Sequence, residues 1–125
     1  MYTKGFQQYK ENSIDTMTQS ELLLTLYDEL MKRLTRAEIA LEKGEQTVME
    51  ESVDRSVQIV KYLSNTLDRS YEISGNLSKL YEFFCYELMR VKAGRNLEEL
   101  RRVKRMTGEL RDAFRTAAAN NASGK

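Results

Sequence analysis

Proline is absent from these 125 residues and glycine occurs only six times, so the two residues that most often interrupt helices are missing from nearly the whole length. Histidine is also absent. That removes the Glu-x-x-His pairs of di-iron bundles, the mixed Cys/His zinc sites and any Ser-His-Asp set. There is no glycine-rich phosphate loop and no paired nucleophile and base, so neither an enzyme nor a bound metal or cofactor is expected. The single cysteine, Cys85, cannot form an internal disulfide, and no charged-then-apolar leader opens the chain; together these point to a reducing cytosol. Cys85 lies between Phe84 and Tyr86 with no adjacent base to activate a thiol, and it reads as structural. No apolar run approaches the ~20 residues needed to cross a bilayer, so membrane insertion is not expected.

Charge of one sign is lacking too. Twenty basic and 19 acidic side chains leave a formal charge of +1, too little for a field that recruits nucleic acid or anionic lipid. The most basic stretch, Arg95 to Arg115, sets seven basic residues against four acids, and it reads as a solvated helix face laced with ion pairs rather than a phosphate-binding stripe.

What is present is helix-forming and apolar in a regular way. With 41% hydrophobic residues the chain can bury one core. Thr18-Gln19-Ser20-Glu21 has capping-box spacing and predicts a helix start at Thr18. Leu23, Tyr27, Leu30, Leu34, Ala37 and Leu41 then share one face, and Gly44 supplies the stop. Thr47-Val48-Met49-Glu50 predicts a second start, after a connection short enough to force an antiparallel return. This helix is read to about Arg69, with an inner stripe of Met49, Val53, Val57, Val60, Leu63 and Leu67, and Ser56 as the weakest neighbour of that seam.

A third helix carries Leu77, Leu80, Tyr81, Phe84, Leu88 and Val91 and ends at Ala93-Gly94. Either Ser70 or Asn76 could cap it. Asn96-Leu97-Glu98-Glu99 opens a fourth, lined by Leu100, Val103, Leu110, Phe114 and Ala117. The expected fold is all-α: an antiparallel up-down four-helix bundle over 18–119. An N-terminal segment, 1–17, is available to pack on it, and 120–125 read as a disordered tail.

A second set of apolar side chains lies off these stripes. Ile59 and Tyr62 flank the second, Phe83, Tyr86 and Met89 the third, Leu24 and Met31 the first, and Met106 the fourth. They belong either to a wide core or to a groove that another helix covers, a use that suits methionine and tyrosine. A small helical mutase would need basic residues on the inner stripes, and the stripes have none.

Segments spread over the chain carry a resemblance: Met1-Tyr2 with Tyr9 and Asn12; Leu26-Tyr27-Asp28; Ala40-Leu41-Glu42-Lys43-Gly44-Glu45; Thr66-Leu67-Asp68; Asn76-Leu77-Ser78-Lys79-Leu80-Tyr81; and Glu109-Leu110-Arg111-Asp112-Ala113-Phe114. In order and spacing these resemble the flagellin-specific export chaperones of bacterial flagella, the FliS family. Phe83 and Phe114 stand where relatives commonly have tyrosine and tryptophan, and both keep an aromatic ring.

The resemblance implies a cytosolic chaperone that holds the C-terminal segment of flagellin, prevents its premature polymerisation and presents it to the cytoplasmic domain of the flagellar type III export gate. It implies a cargo groove, for which Ile59, Tyr62, Phe83, Tyr86 and Met89 are the candidates. It also implies an N-terminal segment around Tyr2, Phe6 and Tyr9 that covers the empty groove and contacts the gate. An adaptor for another helical cargo is the alternative within the same class.

Overall fold

The Thr18 hydroxyl accepts from the Glu21 amide at 3.1 Å while the Glu21 carboxylate accepts from the Thr18 amide at 2.9 Å, so the expected capping box is formed and a helix starts where it was placed. The computed structural model describes residues 18–123, with side chains described to 120. Tyr2, Phe6 and Tyr9 lie outside the described residues.

Among the described residues there are four helices and no strand: α1, Gln19–Lys43; α2, Gln46–Asn65; α3, Ile73–Gly94; and α4, Leu97–Ser123. Gly44 ends α1 at φ 75°, in the left-handed region a side chain would disfavour, and its amide reaches back to the Ala40 and Leu41 carbonyls.

The other boundaries depart from expectation in instructive ways. α2 begins at Gln46 without a side-chain cap on a free amide, and Glu50 accepts from the Gln46 side chain at 2.9 Å instead of completing a box with Thr47. α2 also stops at Asn65, four residues before Arg69. There Asp68 Oδ1 takes the Ser70 amide at 3.0 Å and the Ser70 hydroxyl at 2.6 Å, an Asx turn that competes with helix. Neither Ser70 nor Asn76 caps α3, which starts at Ile73; the Ser74 hydroxyl donates to the Asp68 carbonyl and ties the connection down. Asn96 does cap α4, accepting the Glu99 amide at 3.0 Å. α4 runs to Ser123, past the expected boundary at 119, through Ala117, Ala118 and Ala119, which favour helix.

Each helix packs on its neighbours in sequence and α4 returns to α1, closing a four-membered ring. The polar contacts give the directions. Arg101 meets Glu38 and Arg115 meets Asp28 across α1 and α4, while Lys92 meets Asp54 and Arg95 meets Gln46 across α2 and α3, so these pairs run antiparallel. The bundle is up-down-up-down, as the short connections predict.

Tyr27, Leu30, Leu34, Ala37, Ala40, Met49, Val53, Val57, Val60, Leu63, Leu77, Tyr81, Phe84, Leu88, Val91, Leu100 and Val103 are buried in the core, which follows the expected stripes except that Ala40 is buried where Leu41 was expected and Leu23, Leu41, Leu67 and Leu80 are buried only in part. Ser56 is fully buried on this seam; its hydroxyl donates to the Ser52 carbonyl at 2.9 Å, so it enters the core without an unmet donor. Thr107 does the same to Val103 at 2.8 Å. The core does not extend evenly along the bundle. α4 buries Leu100, Val103 and Thr107 in its first three turns, but Leu110 and Phe114 only in part, and Ala117 is exposed. Core reaches the pole that holds the α1–α2 and α3–α4 turns, where a smaller pocket of about 270 Å³ remains; among the described residues the opposite pole is less completely filled.

Candidate functional site

At the less completely filled pole the unsealed stripes form a groove of about 430 Å³. Leu22, Leu23 and Leu26 come from the start of α1, Tyr62 and Leu63 from the end of α2, Leu67 and Tyr71 from the connection, Ile73, Leu77 and Tyr81 from α3, and Phe114 from α4. Gln19 and Ser20 stand at its edge, immediately after Thr18. Among the described residues lining it, Asp68 is the one with a charged side chain, and its carboxyl is held below its ordinary value by the hydrogen bonds from Ser70. The groove is mainly apolar, with Gln19, Ser20, Thr66, Asp68 and Ser74 adding polar groups among the aliphatic and aromatic lining, the character of a site for an amphipathic segment.

Two side chains of this groove are more exposed than a solvated loop requires. Tyr71 is 65% exposed and Ile73 57% exposed, both at the connection into α3. Sequence reasoning passed over them because they belong to no stripe. The available signal was two large apolar residues in a stretch otherwise made of Ser, Asp, Arg, Glu and Gly.

Behind the groove wall lies a buried pair: the Tyr27 and Tyr81 hydroxyls are 2.6 Å apart, and the Tyr27 ring sits 5.6 Å from that of Phe114. Burial raises the pKa of both phenols, for Tyr27 with a further contribution from Tyr81, so neither ionises under ordinary conditions.

The five candidate groove residues are placed differently from one another. Tyr62 lines the groove and is about half exposed. Ile59 is half-buried against the core. Phe83 is half-buried at the α3–α4 seam, 6.2 Å from the Phe84 ring, with the Arg102 guanidinium 5.4 Å above it. Tyr86 is 64% exposed on the outside of α3, with Arg90 over its ring at 5.9 Å. Met89, also exposed, follows on the same helix. The surplus apolar set thus divides: Tyr62, Tyr86 and Met89 face solvent, whereas Met106, like Ile59 and Phe83, packs against the core. Met31 lies against Gly108 where α1 meets α4.

Most of the basic stretch is taken up by acids. Arg101 and Lys104 bind Glu38, Arg101 also binds Glu42, Arg102 pairs with Glu99, and Arg111 and Arg115 approach Asp28. Among the described residues no cluster of acidic or sulfur side chains could hold a metal ion, and no helix is long and apolar enough to cross a membrane. Cys85 is half-buried, and burial raises its pKa, which leaves the thiol protonated and unreactive.

The model of the family described as flagellar protein FliS matches residues 2–121. The chain belongs to the FliS family. Two curated relatives, both named flagellar secretion chaperone FliS, match nearly end to end. The protein of Bacillus subtilis is 27% identical over 90% of this chain and 84% of its own length, and that of Salmonella typhimurium is 25% identical over 92% and 91%. A solved structure titled as a flagellar chaperone from bacteria superposes with a TM-score of 0.77 over 96% of this chain and 99% of its own, at 18% identity, which establishes the shared fold. This FliS-family chain is a flagellar secretion chaperone and not an enzyme.

Proposed function

We propose that this FliS-family chaperone works in the cytosol, where it holds the C-terminal segment of newly made flagellin, prevents its premature polymerisation and delivers it to the cytoplasmic domain of the flagellar type III export gate. The observation that carries the reading is the apolar groove left open at one pole of a bundle belonging to a flagellar chaperone family. A disordered amphipathic segment gains from such a groove by folding against it, and wrapping a large surface offsets the cost of its ordering. Tyr62 contacts the cargo in the groove. Tyr86 and Met89, with Ile59 and Phe83 nearer the seams, are further contact positions for a segment that continues along the bundle.

The N-terminal segment is the natural cover for the empty groove, because the chain enters α1 at Thr18 and the next two residues, Gln19 and Ser20, already line it. Tyr2 and Phe6 act as the removable plug, and Phe6 and Tyr9 contact the gate once cargo has displaced them.

Isothermal titration of the chain with a peptide of the flagellin C-terminal segment tests the reading. Saturable binding at one-to-one stoichiometry is expected, and the absence of binding overturns it. Deleting residues 1–15 is expected to tighten binding, since a competing plug is removed; weaker binding counts against the plug.

A further inference from the structure

Among the described residues the buried tyrosine pair has one hydrogen more than it uses. Each phenol carries one O–H and can donate once. At 2.6 Å one of the two hydroxyls donates to the other, and the acceptor's own hydrogen then needs a partner elsewhere. Tyr27 is completely buried and lies off the groove, with the Phe114 ring beside it. Tyr81 is 2% exposed and belongs to the groove wall. The arrangement that leaves the second hydrogen serviceable is therefore Tyr27 donating to Tyr81, with Tyr81 directing its own hydrogen to the groove side.

We propose that Tyr81 donates this second hydrogen to a carbonyl oxygen of the bound cargo segment and is thereby a specificity-determining contact in the groove. The inference rests on the cargo reading above and adds to it the chemistry recognised at one point. A neutral carbonyl fits better than a carboxylate, because Asp68 on the same wall is an anion and the remaining lining would leave a second negative charge poorly solvated. The carbonyl comes either from the peptide backbone, at a turn or helix end, or from an Asn or Gln side chain. A site that supplies a buried donor discriminates against a guest without an acceptor there, since the donor is then left unmet.

The test uses the full chain, titrated with a peptide of the flagellin C-terminal segment. Tyr81→Phe is expected to weaken binding roughly three- to tenfold, the span of one net hydrogen bond. Tyr27→Phe keeps the donating hydroxyl and is expected to bind within about twofold of the parent. Tyr81→Phe leaves the Tyr27 hydroxyl buried alone and destabilises the fold, so the decisive variant is Tyr27→Phe/Tyr81→Phe, which removes both groups and retains the ring packing. It should match the parent in melting temperature more closely than Tyr81→Phe does, and should bind as weakly as Tyr81→Phe. If the double variant binds as tightly as the parent, the assignment is overturned while the cargo reading stands; if the parent itself does not bind the peptide, both fall. Peptides with each Asn or Gln replaced by Leu locate the acceptor. One replacement that abolishes the effect of Tyr81→Phe identifies a side-chain carbonyl, and persistence of the effect in all of them identifies the backbone.

Discussion

The Thr18 hydroxyl accepts a hydrogen bond from an amide in the first turn of α1 that no helical carbonyl can reach, and an alanine there would leave that amide to water. Thr18→Ala is expected to lower the stability of the chain by about 1 kcal/mol, read as a shift in the urea midpoint at constant slope. Gly108 is the opposite case. A methyl group built there would meet the end of the Met31 side chain at 3.4 Å, a contact that a flexible thioether absorbs with little movement. Replacing glycine inside a helix gains up to about 1 kcal/mol, so Gly108→Ala should raise stability by about 0.5–1 kcal/mol in the same measurement, and a loss would mean that close approach of α1 and α4 needs the bare backbone.

At the scale of elements, the ends that could be read from sequence were those where one residue makes the cap itself. Thr18, Gly44 and Asn96 act through their own hydroxyl, backbone freedom or amide oxygen, and each stands where its pattern placed it. The ends of α2 and the start of α3 were not legible in this way. Gln46 engages Glu50, and Asp68 draws Ser70 and Ser74 into a turn, so residues that fit a capping pattern in the linear sequence are committed elsewhere by contacts of similar strength.

The α3–α4 seam adds a pH dependence that no single helix contains. Glu99 in the first turn of α4 meets the buried Glu87 of α3. The Glu87 carboxyl beside it, together with burial, raises the Glu99 pKa above its ordinary value against the pull of Arg102 and Arg90. Between the ordinary carboxylate value and this raised one the folded chain binds more protons than the unfolded chain, so this group's contribution to stability falls as pH rises through that window. Glu99→Gln is expected to flatten that slope and to be more stable than the parent at neutral pH, with little difference at acidic pH. Denaturant midpoints at pH ~4.5 and ~7.5 check the sign.

For the molecule as a whole, periodicity located the core and marked the apolar positions off its stripes, but it could not say which of them the core would take and which would stay exposed. The off-stripe positions of α2 and α3 were readable from 100° steps. Their grouping was not, because it depends on how far each seam closes, and α4 seals its stripe only as far as Thr107. The groove therefore opens at the pole formed by the α2–α3 connection, where Tyr71 and Ile73 project. These two side chains are mostly exposed in the free chain and contribute little to its packing, so replacing both with serine should change stability by no more than about 0.5 kcal/mol per site. If the groove receives cargo they become buried contacts, and the double variant Tyr71→Ser/Ile73→Ser should weaken binding of the flagellin C-terminal peptide by about 1–2 kcal/mol, roughly five- to thirtyfold. Ile39→Ser is the matched control: that isoleucine is also exposed, but it lies beside Val48, toward the α1–α2 turn and away from the groove, and its loss should leave affinity unchanged. Equal losses from both variants would mean that exposed apolar area in general, and not the groove, is what the cargo reads.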